Sequence, residues 1–293
     1  MEIREINYAE DIDKINNLLE LSLGKHHSDE LFLWKHVQNP FGKSLGLLAF
    51  DDERIVGVKM FMKWNLQRNG KKIKALRPVD TVIHQDYRRK GLFKKLTHMG
   101  LEKFKDSYDI IFNTPNSNSL SGNLKMGWNR FEQKFNYYAV FFWPYTFTSG
   151  EIRFISIDNF KLGDSTSSSS SFFRTALSNA YIKWRFASDS YNAVEVDIAG
   201  YKMNIIFKFQ SKYGIKYILI EEIMGNAAYF KKALKVLATK TKVFLFYILL
   251  NEQFNLHSLF CVKRNEAVVV FNKDKLNVNR NIRFSLGDLE ASL

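Results

Sequence analysis

The hydrophobic period changes abruptly across residues 86–93, and this change constrains the fold more than any other stretch. Upstream, Val79-Asp80-Thr81-Val82-Ile83-His84 is short, β-branched and alternating, the pattern of a half-buried strand. Downstream, Leu92, Phe93, Leu96, Met99, Leu101 and Phe104 recur at helical spacing. The chain therefore runs strand, tight basic turn, helix through Asp86-Tyr87-Arg88-Arg89-Lys90-Gly91-Leu92-Phe93. The first N–H groups of a helix lack intrahelical partners and lie at the positive end of its dipole, so this turn presents donors to an anion. Gly91 lets the backbone approach closely because it has no Cβ. Arg88, Arg89 and Lys90 add charge that suits a pyrophosphate or a ribose phosphate. A basic turn before a helix is also a common solvated cap, and these residues alone leave both readings open.

The surrounding segments alternate between the two periods. Ile3 and Ile6 suit a first strand, and Ile12, Ile15, Leu18, Leu19 and Leu23 follow at helical spacing. A second helical stretch through Leu31, Phe32, Trp34 and Val37 ends at Asn39-Pro40-Phe41-Gly42. Leu45 to Phe50, Ile55 to Trp64 and Ile73 to His84 read as an antiparallel meander, with Asn69-Gly70 a strong hairpin signal. Tyr108 to Asn113 is another apolar strand. It leads into Thr114-Pro115-Asn116-Ser117-Asn118-Ser119, a turn rich in capping side chains, and then an aromatic run from Phe135 to Phe147. The tract Ser165-Thr166-Ser167-Ser168-Ser169-Ser170-Ser171 has no apolar surface to bury and is expected to be a flexible loop. Beyond it come a helix with Tyr181 and Trp184, strands from 193 to 220, a helix from 227 to 238, and further strands to 271.

At 293 residues with 46% hydrophobic side chains, the chain can fill two cores of ordinary size. Its single cysteine, Cys261, excludes an intrachain disulfide and reads as a small buried hydrophobe. No Cys/His cluster has zinc spacing, so no metal and a reducing, cytoplasmic setting are expected. His26, His27 and His36 lack a ligand pattern and read as solvated surface side chains. The N-terminus is charged and alternating, and no apolar run approaches a bilayer span, so no membrane role is expected. The net charge of +13 comes from lysines and arginines spread along the chain without a dense tract, which disfavours nucleic acid as a partner.

The turn Arg88-Arg89-Lys90-Gly91-Leu92-Phe93 resembles the acyl-coenzyme A pyrophosphate loop of the GNAT N-acetyltransferase superfamily, R/Q-x-x-G-x-G/A. Phe93 stands in place of the last small residue, so its ring must turn away from the phosphates. The segment from Asn116 to Trp128 resembles the GNAT motif N-x-x-A/S-x-x-x-Y-x-k-x-G-F/W, with Asn116, Ser119, Lys125, Gly127 and Trp128 in register. Leu33-Trp34-Lys35-His36 followed by Asn39-Pro40-Phe41-Gly42 looks like the N-terminal signature of a bacterial subgroup. The resemblance implies an α+β GNAT fold, a mixed and mostly antiparallel twisted sheet flanked by helices, over residues 1–147. Element order implies a second GNAT-like domain over 148–293. It is degenerate, because Glu221-Glu222-Ile223-Met224-Gly225 stands where a phosphate turn would be and its carboxylates would repel a pyrophosphate. Tyr181-Ile182-Lys183-Trp184-Arg185-Phe186 and the tail from Phe284 to Glu290 resemble pieces of two-domain members.

The resemblance further implies acetyl-CoA as co-substrate. Its pyrophosphate is expected on Arg88, Arg89, Lys90, Gly91, Leu92 and Phe93, and its pantetheine beside the backbone of Val82 and Ile83, with Asn116 and Ser119 on the same arm. Transfer by direct attack of a small amine, such as an amino sugar, needs no covalent enzyme intermediate. Asn123 occupies the slot of a proton-donating tyrosine and cannot act as an acid, leaving water, Tyr137 or Tyr138. Asp80 and His84 are four apart on one strand, so alternation puts them on one face as candidate bases; Asp80 reads equally well as a structural partner of Arg77. A Fem-type transferase moving an aminoacyl group from tRNA and a non-catalytic acyl-CoA sensor are the alternatives. The phosphate turn favours coenzyme A over the first, and Asn123 is the feature that suggests the second.

Overall fold

The computed structural model describes residues 1–24, 26–143, 149–162, 172–251 and 261–289. Strand β1 (Glu2–Glu5) leads to helices α1 (Ile12–Leu23) and α2 (Asp29–His36), strands β2 (Leu45–Asp51), β3 (Arg54–Arg68) and β4 (Lys71–Ile83), and helix α3 (Leu92–Lys103). Then come β5 (Ile110–Asn113), α4 (Ser117–Lys125), β6 (Asn129–Arg130) and β7 (Phe135–Phe141). The rest comprises β8 (Glu151–Ile155), β9 (Arg174–Thr175), α5 (Asn179–Arg185), β10 (Asn192–Ile198), β11 (Tyr201–Lys212), β12 (Ile215–Met224) and α6 (Phe230–Thr241). It closes with β13 (Leu245–Asn251), β14 (Cys261–Ala267), β15 (Val270–Asn272) and α7 (Leu286–Leu289). The serine tract expected to be a loop lies outside the described residues. No helix among the described residues is long and apolar enough to cross a membrane.

Two mixed sheets result. The first runs β1-β2-β3-β4-β5-β15-β6, with β9 added to β3, and is antiparallel except for β4 with β5. The second runs β14-β7-β13-β12-β11-β10-β8 and is antiparallel except for β12 with β13. Each therefore contains an antiparallel meander, a crossover helix and a parallel strand, β2-β3-β4-α3-β5 and β10-β11-β12-α6-β13. This is the GNAT fold, twice. Asn69 and Gly70 both take positive φ, 49° and 77°, as a tight two-residue hairpin between β3 and β4 requires.

The sheets are not built from contiguous halves. β7 precedes residue 147, yet it lies between β13 and β14 in the second sheet. β15 comes from the other side of that division, yet it lies between β5 and β6 in the first. β5 has four residues and would expose an apolar edge, which β15 covers while β7 covers β13. The division expected between 147 and 148 thus misses this exchange, because periodicity reports which segments are strands and not which sheet receives them.

Aromatic packing locks the two units. Trp34 on α2 and Trp184 on α5 stack at 5.2 Å, and each indole N–H donates to the other residue's carbonyl, at 2.8 and 2.7 Å. Trp64, fully buried on β3, meets Tyr181 edge-on and donates to Thr175 Oγ1 at 2.8 Å. We expect Trp184→Ala to cost roughly 3–5 kcal/mol in urea unfolding, by emptying this junction and orphaning the Trp34 carbonyl. A loss comparable to that of an exposed tryptophan such as Trp143 would show that the junction adds little.

Candidate active site

β4 pairs with β5 only at Ala75–Ile110 and Leu76–Ile111. Past Leu76 the strands diverge, while β4 stays paired with β3 as far as Ile83. A cleft of about 280 Å³ opens in this fork. Its walls are Lys59 from β3, Arg77 to Thr81 from β4, Phe93 from α3, Asn113 at the end of β5 with Thr114 to Asn116 after it, and Ser119 and Asn123 from α4.

At its outer end lies the basic turn. His84 starts a short 3-10 turn over Gln85–Tyr87, Arg89 takes a left-handed φ of 62°, and Gly91 caps α3 at φ 80°. No side chain caps α3, so its first N–H groups face outward unclaimed by a capping oxygen. Nothing lies within 4 Å of a Cβ built on Gly91, which leaves the approach open. The Arg88 side chain turns back to donate to the Ile83 carbonyl at 3.1 Å, and Lys90 lies over the Tyr87 ring at 5.1 Å. Tyr87 is itself held by a hydrogen bond to Asp51. The Phe93 ring points into the cleft, against Gly122 on α4 and with Lys59 Nζ over it at 4.7 Å.

Asn116, the N-cap of α4, accepts from the backbone N–H of Ser119 at 2.9 Å and from its hydroxyl at 3.0 Å. Asn123 donates to the Ser119 carbonyl at 3.0 Å, and its own Oδ1 is buried without a donor. A buried carbonyl oxygen left unpaired costs free energy that a ligand N–H would recover. Tyr137 and Tyr138 lie on β7 in the second sheet and do not line the cleft.

Asp80 is where the sequence expectation changes most. The β3–β4 register runs Met60–Val79 and then Lys59–Thr81, so Asp80 is the extra residue of a β-bulge, at a φ of 42°. Its carboxylate accepts from Lys35 Nζ at 2.9 Å and from His36 Nε2 at 2.8 Å, and His36 Nδ1 meets the Ser44 hydroxyl at 2.9 Å. Burial pushes the Asp80 carboxyl upward, but Lys35 and His36 outweigh it and hold the group well below the ordinary carboxylate range. Burial keeps His36 low and neutral, with Nε2–H donated to Asp80. A carboxylate held this firmly ionised is a poor proton acceptor at neutral pH.

The bulge also breaks the alternation that put His84 beside Asp80. His84 instead meets Arg54 Nη2 through Nε2 at 2.6 Å and faces the Asp86 carboxylate through Nδ1 at 3.5 Å, and it does not line the cleft. His84 is therefore corrected from candidate base to organiser of the turn. Val82 is buried in the core under α1 and Ile83 packs near α3, so these two could offer a ligand only backbone groups. His36, expected at the surface, is fully buried. Lys35 and His36 belong to the Leu33-to-Gly42 signature, which was the available signal for them. Lys59 had one too, as a lysine inside the apolar run from Ile55 to Phe61.

Asp80→Asn keeps a residue that tolerates left-handed backbone but strands the Lys35 ammonium, only 7% exposed. We expect a loss of roughly 3–5 kcal/mol at pH 7. Because the folded carboxyl is depressed, its contribution is complete above about pH 4 and is lost on further acidification. The gap between mutant and wild type should thus narrow, without closing, between pH 7 and pH 3 in urea unfolding. A pH-independent gap would show a steric effect.

A fork between parallel strands, facing the uncapped start of the crossover helix, defines the GNAT class of acyltransferase folds. Residues 2–131 match the family model described as "Acetyltransferase (GNAT) domain". No curated protein matches the sequence. Among solved structures, a GCN5-related N-acetyltransferase from Anabaena variabilis superposes with a TM-score of 0.72 at 10% identity, covering 93% of this chain and 73% of its own. A probable N-acyltransferase from Enterococcus faecalis gives 0.70 at 12% identity, with coverage of 94% and 73%. A putative acetyltransferase from Pyrococcus horikoshii gives 0.56 at 13% identity, with coverage of 99% and 95%. At these identities the likeness speaks to the fold.

Proposed function

We propose that the protein is an acyl-CoA-dependent N-acyltransferase that uses acetyl-CoA and a small amine acceptor, such as an amino sugar. The observation that carries this reading is the β4–β5 fork ending on the open N-terminus of α3 at Gly91. In this reading the N–H groups of Arg89 to Phe93 hold the pyrophosphate. The free backbone edge at Val82 and Ile83 lies along the pantetheine arm, and Asn116, Ser119 and the orphaned Asn123 Oδ1 meet its amides. Acetyl-CoA supplies the thioester carbonyl that the amine attacks. Asp80, ionised and fixed, orients the acceptor ammonium from the cleft floor, and water removes the proton.

The second sheet lacks an equivalent site in this proposal, since the carboxylates of Glu221 and Glu222 are buried near the end of β12. Nor do described residues beyond 148 line the cleft. That half instead buttresses the cleft from behind. The Arg77 guanidinium donates to the Asp288 and Leu289 carbonyls on α7 and, at 3.0 Å, to Thr114 Oγ1.

We expect one mole of acetyl-CoA bound per chain by calorimetry, and thiol release with at least one member of an amine panel that includes glucosamine. Two moles bound would place a second site in the other sheet. Asn123, an amide in the place of an acid, favours a second reading, an acyl-CoA sensor, and binding without turnover would establish it. A tRNA gel shift with no acetyl-CoA binding would instead point to aminoacyl transfer.

A further inference from the structure

Three charged side chains line the cleft, and two of them already have their charge answered. Asp80 is held by Lys35 and His36. Arg77, lowered by burial to about 10 and still a cation at neutral pH, donates to the Asp288 and Leu289 carbonyls and to Thr114, with the Asp288 carboxylate close enough to favour its charge. Lys59 is the exception. It is 1% exposed, and its polar neighbour is the Thr81 hydroxyl, directly across the β3–β4 ladder, at a long 3.5 Å. The rings of Phe93 and Phe61 flank Nζ at 4.7 and 5.6 Å. No carboxylate of a described residue pairs with it. A buried ammonium without an anion is costly, and a fold that keeps one at a ligand cleft keeps it for a ligand.

We propose that Lys59 receives an anionic group of the acceptor, so that the acceptor is a zwitterionic amine whose ammonium meets Asp80 and whose carboxylate meets Lys59. The inference rests on the acyl-transfer reading above. The two receptors sit on neighbouring strands at the bulge, Lys59 paired with Thr81 and turned toward Phe93 on α3, Asp80 next in the chain to Thr81 and turned toward Lys35 and His36 on α2. An acceptor that meets both must span the fork with its two charges set apart, as in an ω-amino acid or an acidic amino sugar. The coenzyme's phosphates have their own donors at the turn, and the Phe93 ring covers Lys59 from the α3 side. Burial lowers Lys59 to about 7, with Arg77 and Asp80 the other charged groups of the cleft, so a carboxylate arriving near neutral pH restores the ammonium.

The test uses the full chain, acetyl-CoA and acceptor pairs with and without a carboxylate: 6-aminohexanoate with pentylamine, lysine with cadaverine, and muramic acid with glucosamine. Wild type should favour the carboxylate member of the pair it accepts by roughly tenfold or more in kcat/KM. Lys59→Met should erase that preference through KM and leave acetyl-CoA affinity within about twofold; Lys59→Arg should restore part of it. No preference in wild type, a preference that survives in Lys59→Met, or no acylation of any of the six amines despite bound acetyl-CoA would overturn the proposal. So would a loss of acetyl-CoA affinity in Lys59→Met, which would assign Lys59 to the coenzyme. If wild type does not bind acetyl-CoA at all, the acyl-transfer reading fails first and takes this one with it.

Discussion

Gly91→Val should lower acetyl-CoA affinity by roughly a hundredfold or more, about 3 kcal/mol, while leaving the fold intact. Two effects add. At φ 80° a β-branched residue is strained by about 1–3 kcal/mol, which shifts the turn that aims the N–H groups of α3. Its side chain also fills the space, empty to 4 Å around a Cβ, through which the phosphates must approach. Because that space is open, the fold loses only the strain, so unfolding should report a small change and calorimetry a large one. Gly91→Ala should fall between, with the smaller Cβ and less strain. Unchanged affinity in both variants would place the pyrophosphate elsewhere and dissolve the site built on this turn.

Lys59→Met should stabilise the protein at pH 6 by several kcal/mol and by almost nothing at pH 10.5. Lys59 falls from 10.5 to about 7 on folding because burial disfavours its charged form. Below about pH 7 both states are protonated and the fold bears the full cost, roughly 5 kcal/mol by conversion of the two values. Between about 7 and 10.5 the unfolded state binds a proton that the folded state lacks, so wild-type stability rises with pH. Above that range both are neutral and the cost is gone. Methionine has similar length and no charge, so the gap between mutant and wild type should close steadily from pH 7 to 10.5 in urea unfolding. A gap that is constant with pH would mean that the ammonium finds an anion within the fold. A residue whose removal strengthens the fold is one retained for a ligand's sake.

Much of the first sheet was legible in the sequence. The strand-to-helix change at Asp86–Phe93, the Asn69-Gly70 hairpin and the break at Asn39–Gly42 are local matters, set by side-chain period, positive φ and proline, and each falls where the pattern puts it. The position of Gly91 at the N-cap of α3 is equally local, as is the capping of α4 by Asn116. What the sequence by itself could not determine is whatever depends on partners distant in the chain. Alternation placed His84 beside Asp80, and a single bulged residue reversed the faces. Composition made His36 a surface histidine, and only the approach of β4 to α2 shows it buried between Ser44 and Asp80. The exchange of β7 and β15 between the sheets has no local signal, since any apolar strand satisfies any free edge of matching length. The lone ammonium of Lys59 is of the same kind. A lysine in an apolar run marks an oddity, but its lack of a counter-charge among the described residues is a property of the cleft, and only the folded chain brings Lys35, His36 and α7 close enough to answer the other charges there.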